Sequence, residues 1–254
     1  MSGSLWILGI GPGGDSLRTP AATEAIAQAT DLVGYGPYLA LVPATTGQVR
    51  HSSDNRQEAD RARQALDLAA AGARVAVVSS GDPGIFAMAS AVLEQLDADS
   101  TAARRWAEVT VQIVPGVTAA TATAALVGAP LGHDFCVISL SDVLKPWHII
   151  EGRIDAAAAA DFVLAFYNPI SKHRPWQLDA AMAIVARHRA PETPVVLGRA
   201  LSRAEESVRW CPLAQFDSAT VDMSTTVIVG SSTTRAFVSA SGQEWVYTPR
   251  HYPA

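Results

Sequence analysis

Leu5-Trp6-Ile7-Leu8 and Val75-Ala76-Val77-Val78 are apolar at successive positions, and each run passes directly into glycine or small polar residues. A half-solvated strand alternates apolar with polar residues, whereas one that is apolar throughout is covered on both faces. Between such runs lie helical patterns. One starts at Thr19-Pro20, where threonine suits the N-cap and proline the first turn. Others span residues 56–71, halted by Gly72, then 85–96 and 117–127. Strands alternating with helices predict an α/β fold whose first sheet is mostly parallel. Residues 109–114 form a further strand. The alternation resumes with strands at 135–140 and 162–166, a helix at 176–188, and strands at 195–197, 207–210 and 226–229. Some of these later strands lie too close together for a helical crossover, so the second sheet is expected to be mixed. Pro115-Gly116 breaks the pattern. The expected organisation is an N-terminal α/β domain over 1–115, a C-terminal α/β domain over 116–240 and a surface-lying tail over 241–254.

The 254 residues are 49% hydrophobic and 17% charged, enough for a real core. The formal net charge of −5 and the lack of a basic stripe weigh against a nucleic-acid partner. Lysine occurs only at Lys145 and Lys172, and every other basic residue is arginine, whose planar fork suits carboxylates. Cys136 and Cys211 are far apart with no ligand spacing, which predicts reduced thiols, no metal site and a cytoplasmic protein. The first ten residues lack the basic start of a secretory signal. The apolar stretches are interrupted by Arg74, Pro130 or Asp161, so no membrane span is expected.

Four loops follow strands, where open α/β sheets bind ligands. Gly9-Ile10-Gly11-Pro12-Gly13-Gly14-Asp15 formally matches the dinucleotide fingerprint. However, the next helix starts late, Pro12 removes an amide donor, and no acidic residue ends the following strand. A phosphate loop is excluded because no Gly-Lys-Ser/Thr is present. Ser79-Ser80-Gly81-Asp82-Pro83-Gly84-Ile85-Phe86 joins a buried strand to a helix; Asp82 either caps that helix or meets a ligand. Thr118, after Val114-Pro115-Gly116-Val117, has the same two readings. Phe166-Tyr167-Asn168-Pro169 presents one ring and one amide at a loop tip, with Asn168 pushed toward extended backbone by the proline.

Taken together, these loops and Thr225-Thr226-Val227-Ile228-Val229-Gly230 resemble the tetrapyrrole methylase family in order and spacing, over roughly residues 4–235. Val33-Gly34-Tyr35-Gly36-Pro37-Tyr38-Leu39, Gly128-Ala129-Pro130-Leu131-Gly132-His133-Asp134-Phe135 and Ile138-Ser139-Leu140-Ser141-Asp142 resemble the branch that methylates precorrin-3B at C17. The resemblance implies two α/β domains with an active-site cleft between them. It implies S-adenosylmethionine as cofactor, S-adenosylhomocysteine as product, and ring contraction to precorrin-4 in cobalamin biosynthesis. It also implies a homodimer, with a possible transient hand-over to neighbouring enzymes of the pathway. Cofactor contacts are implied at Pro12, Gly81, Asp82, Ile85, Thr118, Ala119, Asn168, Ala200 and Thr225 or Thr226, to which the loop reading adds Gly11, Phe86 and Tyr167. The loop around Ala200 departs from the family pattern, and Asn168 stands where relatives often carry methionine.

Ring contraction involves oxygen chemistry and calls for an acid and a base. The candidates are Asp15, His133 and Asp134. Arg18, Ser141, Asp142, Lys145, Arg199 and Arg203 are candidates for holding the substrate and its carboxylates. Rival readings are methylation of cobalt-factor III or uroporphyrinogen III, a ribosomal RNA ribose methylase, and a dinucleotide-binding regulatory module.

Overall fold

A computed structural model describes residues 3–54, 57–98 and 100–252, and the chain divides into two compact units, residues 1–118 and 119–254. The division falls three residues after the expected boundary, at the start of a helix and not at Pro115-Gly116.

The first unit contains β1 (Ser4–Gly9), α1 (Pro20–Gln28), β2 (Asp31–Tyr35), α2 (Gly36–Leu39), β3 (Val49–Ser53), α3 (Glu58–Ala70), β4 (Arg74–Ser79), α4 (Met88–Asp97), α5 (Thr101–Arg105) and β5 (Thr110–Val114). Its five strands pair in the order β3-β2-β4-β1-β5, all parallel. Successive strand residues point to opposite faces, and the two faces have separate cores. Leu5, Ile7, Val33, Val75 and Val77 pack with Ala62 and Leu66 of α3 and Val92 of α4. Leu8, Leu32, Ala76 and Val78 pack with Ala22 and Ile26 of α1. Two covered faces explain why these strands read as unbroken apolar runs. Each fully buried aliphatic side chain contributes about 1.5–3 kcal/mol.

Thr19 caps α1, its Oγ1 accepting from Ala22 N at 3.2 Å. Helix α3 begins at Glu58; the expected start at Arg56 lies outside the described residues. Helix α4 begins three residues later than the periodicity predicts. Phe86 has φ +52° and Ala87 is extended, so no helix can run through these two residues.

The second unit contains α6 (Ala119–Val127), β6 (Gly128–Ala129), β7 (Phe135–Ser139), α7 (Trp147–Ala159), β8 (Val163–Tyr167), α8 (Gln177–Val185), β9 (Pro194–Arg199), β10 (Ser207–Pro212), β11 (Thr225–Val229), β12 (Arg235–Val238) and β13 (Glu244–Tyr247). Its main sheet has the order β10-β9-β11-β8-β7. Only β7 and β8 are parallel, so the sheet is mixed as expected. One face packs on Ile150 and Ile154 of α7 and Leu178 and Val185 of α8. The other packs on Ala120, Ala124 and Val127 of α6 and on Val246. The segment expected to be a surface tail instead supplies β13, which pairs with β12 and β6 in a small third sheet. Val246 is wholly buried there, which accounts for the difference.

Arg189 is the main polar strut of this unit. Its side chain is 1% exposed. It donates to the carbonyls of Gly230 (2.9 Å), Ala158 (2.8 Å), His188 (3.0 Å) and Phe162 (2.8 Å) and pairs with Asp161 at 3.2 Å. Asp161 also accepts from Ser232 N (2.8 Å), Ser232 Oγ (2.6 Å) and Tyr252 OH (2.9 Å), which anchors the chain end.

Cys136 and Cys211 are free thiols. Burial pushes the Cys136 thiol up to about 11, only partly offset by Arg189. Because the thiolate is the reactive form, Cys136 is expected to alkylate with iodoacetamide at pH 8 roughly a hundredfold more slowly than free cysteine. Peptide mass mapping reads this, and labelling at the free-cysteine rate contradicts it. No helix among the described residues is long and apolar enough to cross a membrane.

Candidate active site

In the first unit β1 is flanked by β4 and β5, with Gly9 paired to Ser79 and Leu8 to Val114. Parallel strands in register end together, so the loops after β1, β4 and β5 leave one edge side by side. Gly11 and Gly81 then form a reciprocal bridge. Gly81 N donates to Gly11 O at 2.8 Å, and Gly11 N to Gly81 O at 3.2 Å. Both residues adopt positive φ, +73° and +69°, which glycine reaches without a Cβ penalty. Gly9 and Gly116 close the knot. A Cβ at Gly9 would lie 2.3 Å from Gly81 O, and one at Gly116 would lie 2.2 Å from the same oxygen. Gly81 differs, since a Cβ there would meet only Thr118 Cα, at 3.8 Å. The knot therefore has one open side, bordered by Thr118.

Asp82 locks the arrangement. Its Oδ1 accepts from Gly84 N at 2.8 Å and its Oδ2 from Gly116 N at 3.0 Å. It does not cap α4, which starts six residues later. The carboxylate clamps the second loop to the third, a role absent from both sequence readings of this residue. Pro12 is buried, Ile85 is half-buried, and Phe86 is 49% exposed in its left-handed conformation. Asp15 is exposed and pairs at 2.6 Å with Arg18, whose side chain is 5% exposed and also donates to Leu41 O at 3.0 Å.

In the second unit the strand register gathers a second set. Ser139 pairs with Tyr167, Phe166 with Val227, and Thr225 with Arg199. Ser139, Tyr167, Asn168, Arg199, Ala200 and Thr225 thus share one sheet edge. Asn168 has φ +52° and Ala200 +48°; such backbone strain in non-glycine residues concentrates at ligand sites. Asn168 is held by its side-chain amide, which donates to Ser139 Oγ at 3.0 Å, and by Arg174, which donates to its carbonyl at 2.8 Å. Its left-handed backbone departs from the extended form expected before proline. Tyr167 OH accepts from Ala120 N at 2.7 Å and so serves the first turn of α6, next to Ala119. Ala200 N donates to Ser224 O at 3.1 Å, and Thr226 is buried in β11.

Asp222 organises this edge. It takes Arg199 Nε at 2.7 Å, Thr225 Oγ1 at 2.9 Å and Ser224 Oγ at 2.7 Å. Burial raises its pKa, but the hydrogen bonds from Ser224, Arg199 and Thr225 outweigh this and hold it below the usual carboxylate range. Its folded pKa is lower than its unfolded one, so its contribution is complete above about pH 4 and is lost as pH falls through the folded value. The melting-temperature gap between wild type and Asp222→Asn is expected to shrink from pH 5 to pH 3. A gap that widens contradicts the assignment.

Asp142 accepts from Gln177 Nε2 at 3.0 Å, and Ser141 N donates to Ser139 Oγ at 3.3 Å. Lys145 lies in the same loop, and burial, then Arg153, lowers its pKa. Arg203 follows Ala200, donating its N–H to the Ala200 carbonyl at 3.1 Å. His133 and Asp134 are placed elsewhere. Asp134 precedes β7 and its carbonyl accepts from Val163 N, the first residue of β8, at 3.1 Å. Both residues therefore stand at the opposite edge of the sheet from Ser139 and Tyr167. His133 Nδ1 accepts from Asp134 N at 2.7 Å, and its ring meets Tyr252 edge-on. Within the second unit the two stand apart from Ser139, Tyr167, Asn168, Arg199 and Thr225. The structure adds Arg174 and Asp222, which no local pattern singled out, and gives Gly9, Gly116 and Ser139, quoted only as members of motifs, specific packing and hydrogen-bonding roles.

A model of the tetrapyrrole (corrin/porphyrin) methylases matches residues 4–217. The chain belongs to the tetrapyrrole methylase family. Like this tetrapyrrole methylase, a precorrin-3B C(17)-methyltransferase from a Sinorhizobium species is built on a chain of similar length: the two are 50% identical over 99% of this chain and 98% of that one. A cobalamin biosynthesis protein CobIJ from Mycobacterium tuberculosis is 50% identical over all of this chain, which spans 49% of that longer protein. The crystal structure of the methyltransferase CobJ superposes with TM-score 0.91 at 47% identity, covering 98% of this chain and 100% of that one.

Proposed function

We propose that this tetrapyrrole methylase transfers a methyl group from S-adenosylmethionine to C17 of precorrin-3B and contracts the ring to precorrin-4, in cobalamin biosynthesis. The observation that carries the cofactor reading is the knot of Gly9, Gly81 and Gly116, with its one open side beside Thr118. A side chain on any of the three would fill the cradle or break it, so backbone can approach a ligand closely there. Half-identity to a protein named for this reaction over nearly its full length narrows the substrate. The dinucleotide reading loses support because α1 starts at Pro20, well past Gly11, and β2 ends in Tyr35 with no acid.

When bound, S-adenosylmethionine would supply an electrophilic methyl group and leave as S-adenosylhomocysteine. The chain's residues contribute position and water exclusion. The cofactor candidates of the first unit are Gly11, Pro12, Gly81, Ile85, Phe86 and Thr118, and those of the second unit are Ala119, Asn168, Ala200, Thr225 and Thr226. Asp82, Tyr167 and Asp222 fix the loops that present them. Lys145, Arg199 and Arg203 are the cations for the substrate's carboxylates; Arg18, buried and bonded to Asp15 and Leu41 O, is turned inward instead. Of the three acid–base candidates, Asp15 alone stands on a glycine loop. We assign its carboxylate, oriented by the buried Arg18, to accept the proton that the tetrapyrrole loses as it gains the methyl group. The enzyme works as a homodimer in the cytoplasm and passes its product to the next enzyme of its pathway.

Incubation with precorrin-3B and methyl-labelled S-adenosylmethionine, followed by mass analysis, tests the reading. The tetrapyrrole is expected to gain one methylene equivalent and the label, and an unchanged mass contradicts it. Asp15→Asn is expected to slow turnover by roughly a hundredfold while S-adenosylhomocysteine affinity stays constant.

A further inference from the structure

The small third sheet of the second unit carries a cavity that the methyl-transfer reading does not use. It measures about 640 Å³ and is lined by Arg235, Tyr247, Thr248, Arg250 and His251 among others. No aspartate or glutamate lines it, although acids outnumber bases along the chain, 24 to 19. Arg235 and Arg250 form no ion pair among the described residues.

The walls are tied down by strand pairing and hydrogen bonds. Arg235 and Tyr247 are cross-strand partners in the β12–β13 pair, so the guanidinium and the phenol ring rise from one strip of sheet. Thr248 is buried and doubly anchored: its N–H donates to Ala129 O at 3.0 Å and its Oγ1 to Pro130 O at 2.6 Å. Beyond it the chain is pinned again where Tyr252 donates to Asp161. Arg250 and His251 therefore sit on a short arch held at both ends. Asp161, the carboxylate that anchors Tyr252, is compensated by the buried Arg189 and three further hydrogen bonds. Two guanidiniums without a carboxylate partner among the described residues, an imidazole and backbone fixed on both sides make a receptor for anionic oxygens, since arginine forks bind carboxylate and phosphate bidentately.

We infer that this cavity binds a small organic or inorganic polyanion through two or more carboxylate or phosphate groups. Calorimetric titration of the full chain at low salt with citrate and, separately, with tripolyphosphate tests the inference. At least one probe is expected to bind saturably with one site per chain, and the tighter of the two names the ligand's charged group. Arg235→Gln/Arg250→Gln is expected to weaken that binding by roughly tenfold or more. Both positions are exposed, so the melting temperature is expected to hold. Arg250→Gln alone, outside every strand, gives the same reading if the double variant melts early. The inference is overturned if neither probe binds, or if the arginine variants keep wild-type affinity.

Discussion

Gly116→Ala is expected to abolish measurable binding of S-adenosylhomocysteine and to destabilise the first unit by about 1–3 kcal/mol. The new Cβ would lie 2.2 Å from Gly81 O and 2.9 Å from both Gly9 Cα and Gly9 C. All three are backbone atoms, so no side chain can swing aside. The loops after β1, β4 and β5 must separate, and the Gly116 N–H is pulled from Asp82 Oδ2. Gly152→Ala is the control. Gly152 is in α7, and a methyl group added there would have nothing within 4 Å. Alanine at this position is expected to stabilise by roughly 0.5–1 kcal/mol with cofactor binding unchanged. Calorimetric titration and thermal melts on the two variants read both effects. Wild-type affinity in Gly116→Ala would show that the knot does not hold the cofactor.

Arg189→Met is expected to cost the second unit about 3–5 kcal/mol, the range for losing one partner of a buried ion pair. Methionine fills much of the volume, so the loss is chiefly polar. The backbone carbonyls of Gly230, Ala158, His188 and Phe162 each lose one donor, Ala158 O keeping its bond from Asp161 N, and Asp161 loses its cation. Buried acceptors left unpaired are the expensive part. At roughly 2–4 °C per kcal/mol, melting is expected to fall by about 10 °C. Tyr252→Phe removes one bond to the same carboxylate from an exposed tail residue and is expected to change melting by only a few degrees. Equal melting of Arg189→Met and wild type would contradict the strut.

The parallel first sheet was legible because its strands are buried on both faces, and burial on both faces leaves an unbroken apolar run. The start of α1 was legible because Thr19-Pro20 combines a cap with a first-turn proline. The third sheet was not. Gly128-Ala129 is two residues long, and Arg235–Val238 and Glu244–Tyr247 are mostly exposed on one side. β12 and β13 are close in sequence, but the pairing of β13 with β6 joins segments more than a hundred residues apart, which no local pattern records. The candidate site divides the same way. The glycine loops announce themselves, but that Gly9, Gly81 and Gly116 pack on one carbonyl follows only from strand order. Asp82 illustrates the limit: its neighbours allowed a helix cap or a ligand contact, and the fold gives it a clamp between loops. Arg174 and Asp222 had no signal because each acts on backbone or side chains brought near by the sheet. His133 and Asp134 sit in a family-like segment, yet β7 carries that segment's chemistry-bearing end away from them.

Thermal melting of the full chain with S-adenosylhomocysteine and, separately, with reduced nicotinamide dinucleotide tests the central claim most directly. At one hundred times its dissociation constant, a ligand stabilises the fold that binds it by about 2.7 kcal/mol. The sulfur nucleoside is expected to raise the transition by several degrees and the dinucleotide to leave it in place. A rise with the dinucleotide alone would mean that the glycine loops serve a pyrophosphate and not a methyl donor.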